Sequence, residues 1–508
     1  MVQLAGILDL PTEILVNILE HPSLPTDTLH ALVPLCRRLH FIALPILLSR
    51  LGFTPNSTSV VLQLQADRRD LLAVFQMALL TPKPQTISCV FPHPSCTSIF
   101  PLLPHLKRLE TFISCLPSVD SVTLELDTQA SGCLAVGDDR ALRAWAIHLE
   151  SLLNCVVRKQ CSSLTILHGG QFTRAFELVP FIARRGLIRR LFSALPKLLR
   201  AKGNGTQEFR RAPHQGPHRI EMGSCPYSAK LTSLDIRSAI FVVPPGLHWT
   251  LTALRNCRIQ SLTLGRGVEE SIIWSTVLPL IASAGRCLTS LTLLQADFLS
   301  EEDILDFVGR LPLLRQLTIS SRKQTWTRDA VSGSIPLRAL ESLRAPPKFI
   351  QHFLHHSSPL PKINSICILW PQFYITTSMN VLVTALSTML RTLDAHGRSP
   401  HLAVSINTMM YRSASLAHHA SHDLHTFLDR VDSLEITAIP FFFTDITDMA
   451  AWIALFRRVR RVELTIAPTD DNLVLARLAR AVQATEFLHT IVVNGESADL
   501  LNEGATAQ

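Results

Sequence analysis

Two groups of histidines have the spacing that metal chemistry uses. His418, His422 and His425, beside His419, stand three and four residues apart, and His352, His355 and His356 do likewise, so a helix would put each set on one face. A structural or catalytic metal also draws on thiolate or carboxylate ligands, and Asp423 is the only acid beside the first group. The eleven cysteines do not fill that gap. They are scattered from Cys36 to Cys367, and the closest pairs, Cys155 with Cys161 and Cys89 with Cys96, lack CxxC spacing. An odd, dispersed set lying in aliphatic runs such as INSICIL, around Cys367, reads as reduced thiols behaving as small apolar side chains. Walker A, GxGxxG, HExxH and GxSxG motifs are absent. The expectation is a chain that is not an enzyme, with no catalytic residue, no metal and no cofactor.

What would position side chains in such a chain follows from its composition. With 508 residues it exceeds one ordinary compact core, so several domains or one repeat array are expected. Apolar residues make up 47%, aromatic ones only 6%, so the core must be aliphatic. A net charge of +8 over this length is dilute, and no basic cluster with aromatic platforms stands out, which argues against nucleic acid. The opening MVQLAGILDLP has no basic n-region, and FIALPILL is interrupted by Pro45 far short of the ~20 residues a span needs. No membrane is expected, and the location is read as cytoplasmic or nuclear.

A pattern LxxLxI recurs as LTSLDI from Leu231, IQSLTL from Ile259, LTSLTL from Leu288 and LRQLTI from Leu314. It continues as INSICI from Ile363, VDSLEI from Val431, VRRVEL from Val459 and LHTIVV from Leu488, with earlier copies at Val119 and Cys161 and weaker ones at Leu340 and His401. Successive starts differ by 28, 29 and 26 in the first run and by 28 and 29 in the last. That regularity points to a repeat. Between the hexapeptides the period becomes helical. Ser300 and Asp303 suit a capping box ahead of Ile304, Phe307, Val308 and Leu311; Met449, Trp452, Ile453 and Phe456 precede one strand, and Leu475, Leu478 and Val482 another.

Each strand-plus-helix unit has apolar surfaces that only its neighbours can cover, so the units are expected to stack with their strands on a concave side. Residues between the aliphatic ones then face outward: Asp235, Thr263, Thr292, Thr318, Glu435 and Glu463 are the candidate target-binding positions, though any solvated sheet face would look similar. The pattern resembles leucine-rich-repeat domains, without their regular Asn or Cys after the strand. Residues 200–230, rich in Gly, Pro, Arg and His, break the period and predict a mobile insertion in which Arg210 and Arg211 are solvated; TRDAVSGS from Thr327 reads as a further loop.

The first fifty residues read as short helices separated by prolines. Pro11 suits a first helical turn with Glu13 at its positive end; Thr26 or Asp27 can cap a second helix, and a third follows Pro34. The stretches LPTEIL, ILEH, LCRRLH and ALP resemble the fungal F-box, although Pro34 stands where that family carries an ordinary helical residue. The resemblance implies docking on a Skp-type adaptor and through it a cullin ubiquitin ligase, with Leu10, Pro11, Ile14, Leu15 and Ile18 as first contacts and Leu32, Cys36 and Leu39 as later ones. A plain amphipathic cap on the repeat array is the other reading.

The expected fold class is thus α/β: all-α F-box-like helices over 1–52, a helical linker over 53–110, and a divergent leucine-rich-repeat-type solenoid of short parallel strands and outer helices over 111–508. Its expected function is substrate recognition for an SCF-type ligase, holding an unidentified target protein; the alternative is a repeat scaffold unconnected to ubiquitination.

Overall fold

The computed structural model describes residues 10–54, 57–65, 70–78, 83–92, 102–126, 139–168, 176–180, 207–211, 222–265, 271–321, 337–356, 360–369, 388–394, 400–407, 428–437, 453, 456–465, 488–494 and 496–499. The chain divides into two compact units, Met1–Gly285 and Arg286–Gln508.

Unit 1 begins with three helices, α1 (Thr12–Glu20), α2 (Thr26–Leu32) and α3 (Arg37–Arg50). Pro11 and Pro25 occupy the positions just before α1 and α2, where the missing N–H costs nothing, so Pro25 takes the N-cap place expected for Thr26 or Asp27, and Asp27 stands in the first turn of α2. Leu15, Leu19, Leu29, Val33, Leu39, Ala43 and Leu47 bury a small common core. Two arginines of α3 hold α1 at both ends. Arg38 donates to the Leu10 carbonyl (2.6 Å) and to Thr12 Oγ1 (3.3 Å); Arg50 donates to the carbonyls of Leu19 (3.0 Å), His21 (2.8 Å) and Leu24. Starts meet starts and ends meet ends, so α1 and α3 run in the same direction, and Arg50 satisfies carbonyls that the end of α1 leaves open.

Next come six parallel strands among the described residues: β1 (Ser59–Gln63), β2 (Thr86–Val90), β3 (Ser121–Glu125), β4 (Ser163–Leu167), β7 (Ser233–Arg237) and β8 (Ser261–Leu264). Helices α4 (Leu71–Met77), α5 (Leu103–Cys115), α6 (Asp139–Arg158), α7 (Leu247–Asn256) and α8 (Ser271–Ala284) belong to the same unit. β5 (Phe176–Pro180) and β6 (Gln207–Arg211) pair antiparallel in a separate two-stranded sheet. The linker expected over 53–110 is therefore corrected: β1 and β2 already belong to the parallel sheet. The hexapeptide pattern missed them because Ser57 and Pro84 stand at its first aliphatic place; Pro84 is buried there all the same.

The same hydrogen-bond step joins each strand to the next. The carbonyl of Thr58 accepts from the N–H groups of Gln85 and Thr86, that of Gln85 from Asp120 and Ser121, that of Asp120 from Ser162 and Ser163, that of Ser162 from Thr232 and Ser233, and that of Thr232 from Gln260 and Ser261. Strand starts thereby align as Ser59, Thr86, Ser121, Ser163, Ser233 and Ser261. A serine before the second aliphatic residue is visible in most of the hexapeptides and marks this edge.

The insertion predicted at 200–230 also needs correcting. Residues 207–211 are strand β6, with Arg210 opposite Glu177 and Arg211 opposite Phe176 in the backbone register, and 222–230 is packed into unit 1. Met222 and Cys225 are buried, Met222 N–H donates to the Pro245 carbonyl (3.0 Å), and Gly223 N–H donates to Glu150 Oε2 (2.7 Å). Polar composition suggested a solvated loop, whereas two apolar side chains and a glycine that lets the backbone approach α6 anchor it. A Cβ at 223 would run into the Glu150 carboxylate. Gly223→Ala should therefore push the flexible carboxylate aside and weaken the bond it accepts from Gly223 N–H, at a cost of about 0.5–1.5 kcal/mol in urea unfolding; a cost within error of zero would show that this contact is slack.

Unit 2 repeats the scheme with β9 (Ser290–Leu293), α9 (Glu301–Gly309), β10 (Gln316–Ile319), β11 (Ser342–Ala345), α10 (Pro347–His356), β12 (Ser365–Leu369), β13 (His401–Asn407), β14 (Ser433–Thr437), β15 (Arg461–Thr465) and β16 (Thr490–Val493). Its strands pair in parallel from β9 to β16, and β17 (Glu496–Asp499) closes antiparallel on β16. Ser300 caps α9 as its sequence predicts, its Oγ accepting from Asp303 N–H (3.0 Å) and donating to Asp303 Oδ2 (2.6 Å). Register shifts by two at β13, since Ser365 lies opposite His401 but Ser433 opposite Ala403. A two-residue shift keeps every side chain on its own face, so Leu402 and Val404 stay buried.

In both units the first place of the hexapeptide is buried wherever it is aliphatic or Cys: Val119, Cys161, Leu231, Ile259, Leu288, Leu314, Leu340, Ile363, Val431, Val459 and Leu488; His401, at the same place in the weaker copy, is exposed and Ser57 half-buried. Ile453 and Phe456 are buried too, while Met449, Trp452, Leu475, Leu478, Val482 and the 327–334 stretch lie outside the described residues. No described helix is long and apolar enough to cross a membrane.

Candidate functional site

Two surfaces carry the residues singled out above. On the N-terminal helices, Ile14 and Ile18 are 45% and 41% exposed, one turn apart on α1, whereas Leu15 at 0% and Leu19 at 1% face inward. Pro11 is exposed, and Leu10, Leu32 and Cys36 are half-buried. Leu15 and Leu39 were expected at the contact surface and are core residues instead. A helix with apolar residues at 14, 15, 18 and 19 has two adjacent stripes, and only α3 packed beside it decides which is inside. Leu35 and Phe41 are also exposed apolar residues here that the sequence reading did not select.

The second surface is the strand face turned away from the buried aliphatics. In unit 1, Val61, Ser88, Thr123, Thr165, Asp235 and Thr263 are aligned in register across it. Asp235 is held by Arg237, whose Nη2 lies 2.7 Å from Oδ2. The Arg237 stem lies over Gly265, where any Cβ would collide with it.

In unit 2, Thr292 aligns with Thr318 and then Arg344, and Glu435 aligns with Glu463. Arg344 crosses two strands to reach its partners: Nη2 donates to Ser405 Oγ (3.0 Å) and lies 2.6 Å from Glu435 Oε2, while Nη1 donates to Oε1 (3.0 Å). Beside it in register stand Cys367 and Ala403, two small side chains. Burial works against the charge on Arg344 and is the largest single influence, but the bond to Glu435 together with the negative charges around it, Glu435 and Glu463 among them, outweighs it and holds the guanidinium pKa above its usual value. Burial likewise pushes the Cys367 thiol up to about 12, so it is an apolar filler here rather than a nucleophile. Glu463 pairs with Arg461 on its own strand at 3.2 Å. Arg344 occupies the same template place as Asp235 and Thr263, so its position was readable from LESLRA; its partner, 91 residues away, was not.

His418, His419, His422, His425 and Asp423 lie outside the described residues. His352 on α10 meets the buried Glu301 at the start of α9, with Nδ1 3.0 Å from Oε1. Among the described residues no group of three His, Cys, Asp or Glu side chains is placed to hold a metal ion.

The stepwise parallel ladder, the buried aliphatic columns and the intervening helices define an α/β solenoid of the leucine-rich-repeat type. No family model matches the chain, and no curated protein does. Among solved structures, the leucine-rich repeat-containing protein LegL7 from Legionella pneumophila is similar at 16% identity, over 55% of this chain and 92% of that one, with a TM-score of 0.33. The Rad7 and Elc1 complex in yeast is similar at 10% identity, over 97% of this chain and 99% of that one, with a TM-score of 0.29.

Proposed function

We propose that this chain is a non-enzymatic substrate-recognition adaptor of an SCF-type cullin ubiquitin ligase. Its N-terminal helices dock on a Skp-type adaptor, and the open strand faces hold a target protein. The observation that carries the reading is the exposed pair Ile14 and Ile18 beside Pro11, on a helix clamped at both ends by Arg38 and Arg50. A rigid, solvent-facing apolar stripe within a segment resembling the F-box is suited to burial against a partner. The mechanism is proximity, with Asp235, Thr263, Thr292, Thr318, Glu435 and Glu463 joined by Arg344 as contacts for the target. No cofactor takes part.

The test is recovery of a Skp-type adaptor with the full chain. Ile14→Asp and Ile18→Asp together should lower recovery at least tenfold while leaving the circular dichroism spectrum unchanged, since about 1.4 kcal/mol of lost contact energy suffices. Undiminished recovery in a folded double variant defeats the proposal. The cap reading has its own support: Phe53, directly after α3, packs edge-on against Phe75 of α4 at 5.0 Å. Deleting residues 1–52 separates the two, because loss of a cap unfolds the repeats whereas loss of a docking module leaves them folded.

A further inference from the structure

Cys225 and Cys257 place their sulfur atoms 3.9 Å apart inside unit 1, with both side chains buried and both thiols free. Their approach is fixed by the backbone around them. Cys225 N–H donates to Thr252 Oγ1 (2.9 Å), Asn256 Nδ2 donates to the Cys225 carbonyl (2.8 Å), and Ser228 bridges to Cys257 in parallel. Both sulfurs also lie near the Pro226 carbonyl, at 3.4 and 3.6 Å. Segment 222–230 and the end of α7 are thus tied together at three points around the pair, which brings two sulfurs into contact that are 32 positions apart in the chain.

We infer that Cys225 and Cys257 form an oxidation site that closes to an intramolecular disulfide when a small peroxide reaches it. A disulfide requires sulfurs about 2 Å apart, so they must close by roughly a further 2 Å, a movement that side-chain rotation on a fixed backbone can supply. In the first step the Cys257 thiolate attacks one peroxide oxygen. The O–O bond breaks, hydroxide leaves and takes up the proton, and Cys257 becomes a sulfenic acid. Cys225 sulfur then attacks the Cys257 sulfur, the S–O bond breaks, and the departing hydroxide takes the Cys225 proton. Two thiols and one hydrogen peroxide become one disulfide and two waters. Either sulfur can donate to the other across the 3.9 Å contact, so the first thiolate to form is stabilised by the remaining S–H, and the same two steps hold with the roles of Cys257 and Cys225 exchanged. Burial pushes Cys161, by contrast, up to about 12, and raises Cys89 and Cys155 as well. Among the described residues, none of these three has a second sulfur in hydrogen-bonding contact.

The experiment uses the full folded chain. It is exposed to hydrogen peroxide, denatured in N-ethylmaleimide, digested without reduction and mapped by mass spectrometry. The expected result is one dominant peptide pair joined through Cys225 and Cys257, with labelling of these two cysteines falling together and returning after dithiothreitol. Full labelling of both after peroxide overturns the inference. So does conversion of either to sulfinic or sulfonic acid without the link, or joining of either to another of the eleven cysteines.

Discussion

Asp70→Ala should lower the free energy of unfolding of unit 1 by about 3–5 kcal/mol, the usual cost of removing one partner from a buried ion pair. Asp70 is 2% exposed and does three things at once. Its Oδ1 caps α4 by accepting from Ala73 N–H (2.9 Å), its Oδ2 accepts from Gln65 N–H (3.1 Å), and both oxygens meet the Arg108 guanidinium of α5, at 2.5 and 3.1 Å. The pair therefore locks one repeat helix to the next. Removing the carboxylate leaves Arg108, itself little exposed, charged and without this partner. Replacing both residues by Leu and Met should cost much less than the single change, because no charge is then stranded. If the single and double variants unfold at the same urea concentration, the ion pair is not what couples these helices.

The same carboxylate predicts an acid dependence. Burial works to raise its pKa, but the bonds from Arg108, Gln65 and Ala73 outweigh it and hold the carboxyl below its ordinary value of 3.8. A group with a depressed folded pKa stabilises the fold fully above its unfolded value, about 3.9, and that contribution is lost as the pH falls through the folded pKa. Between pH 7 and pH 3, the stability gap between wild type and Asp70→Asn should accordingly narrow only at the acid end. A gap of constant size across that range contradicts the assignment.

Trp249→Ala should cost a further about 3–5 kcal/mol by opening a large cavity in unit 1. Trp249 on α7 is fully buried, meets Phe241 edge-on at 6.0 Å, and donates Nε1–H to Asn154 Oδ1 on α6 at 3.0 Å. It joins α6 to α7 across the 222–230 segment, where the repeat spacing is longest. Trp249→Phe keeps most of the apolar volume and loses the donor, so about 1–3 kcal/mol is expected from leaving the Asn154 oxygen unsatisfied. Equal costs for the two substitutions in urea titrations followed by circular dichroism would assign the whole effect to the hydrogen bond and none to packing.

The aliphatic frame was open to reading from the residue order because it depends on local rules. A strand's side chains alternate with period two and a helix's with period near four, so a solenoid unit prints both periods into a stretch of under thirty residues. This is why the places of Leu231, Leu288, Val431 and Leu488, the cap at Ser300, and the outward direction of Asp235 and Glu435 were all readable before any coordinates. Ser57 and Pro84 show where that reading stops, for a substitution at one template place hid two strands that their neighbours' backbone bonds supply. The choice of Ile14 over Leu15 for solvent belongs to the packing of α3, not to the periodicity of α1. Tertiary structure alone decided the pairs Asp70 with Arg108, Arg344 with Glu435, and Cys225 with Cys257, whose members are 38, 91 and 32 residues apart. A charge or a thiol carries no mark of its partner; only the stacking of one repeat on the next brings them within bonding distance, and that stacking is a property of the whole array.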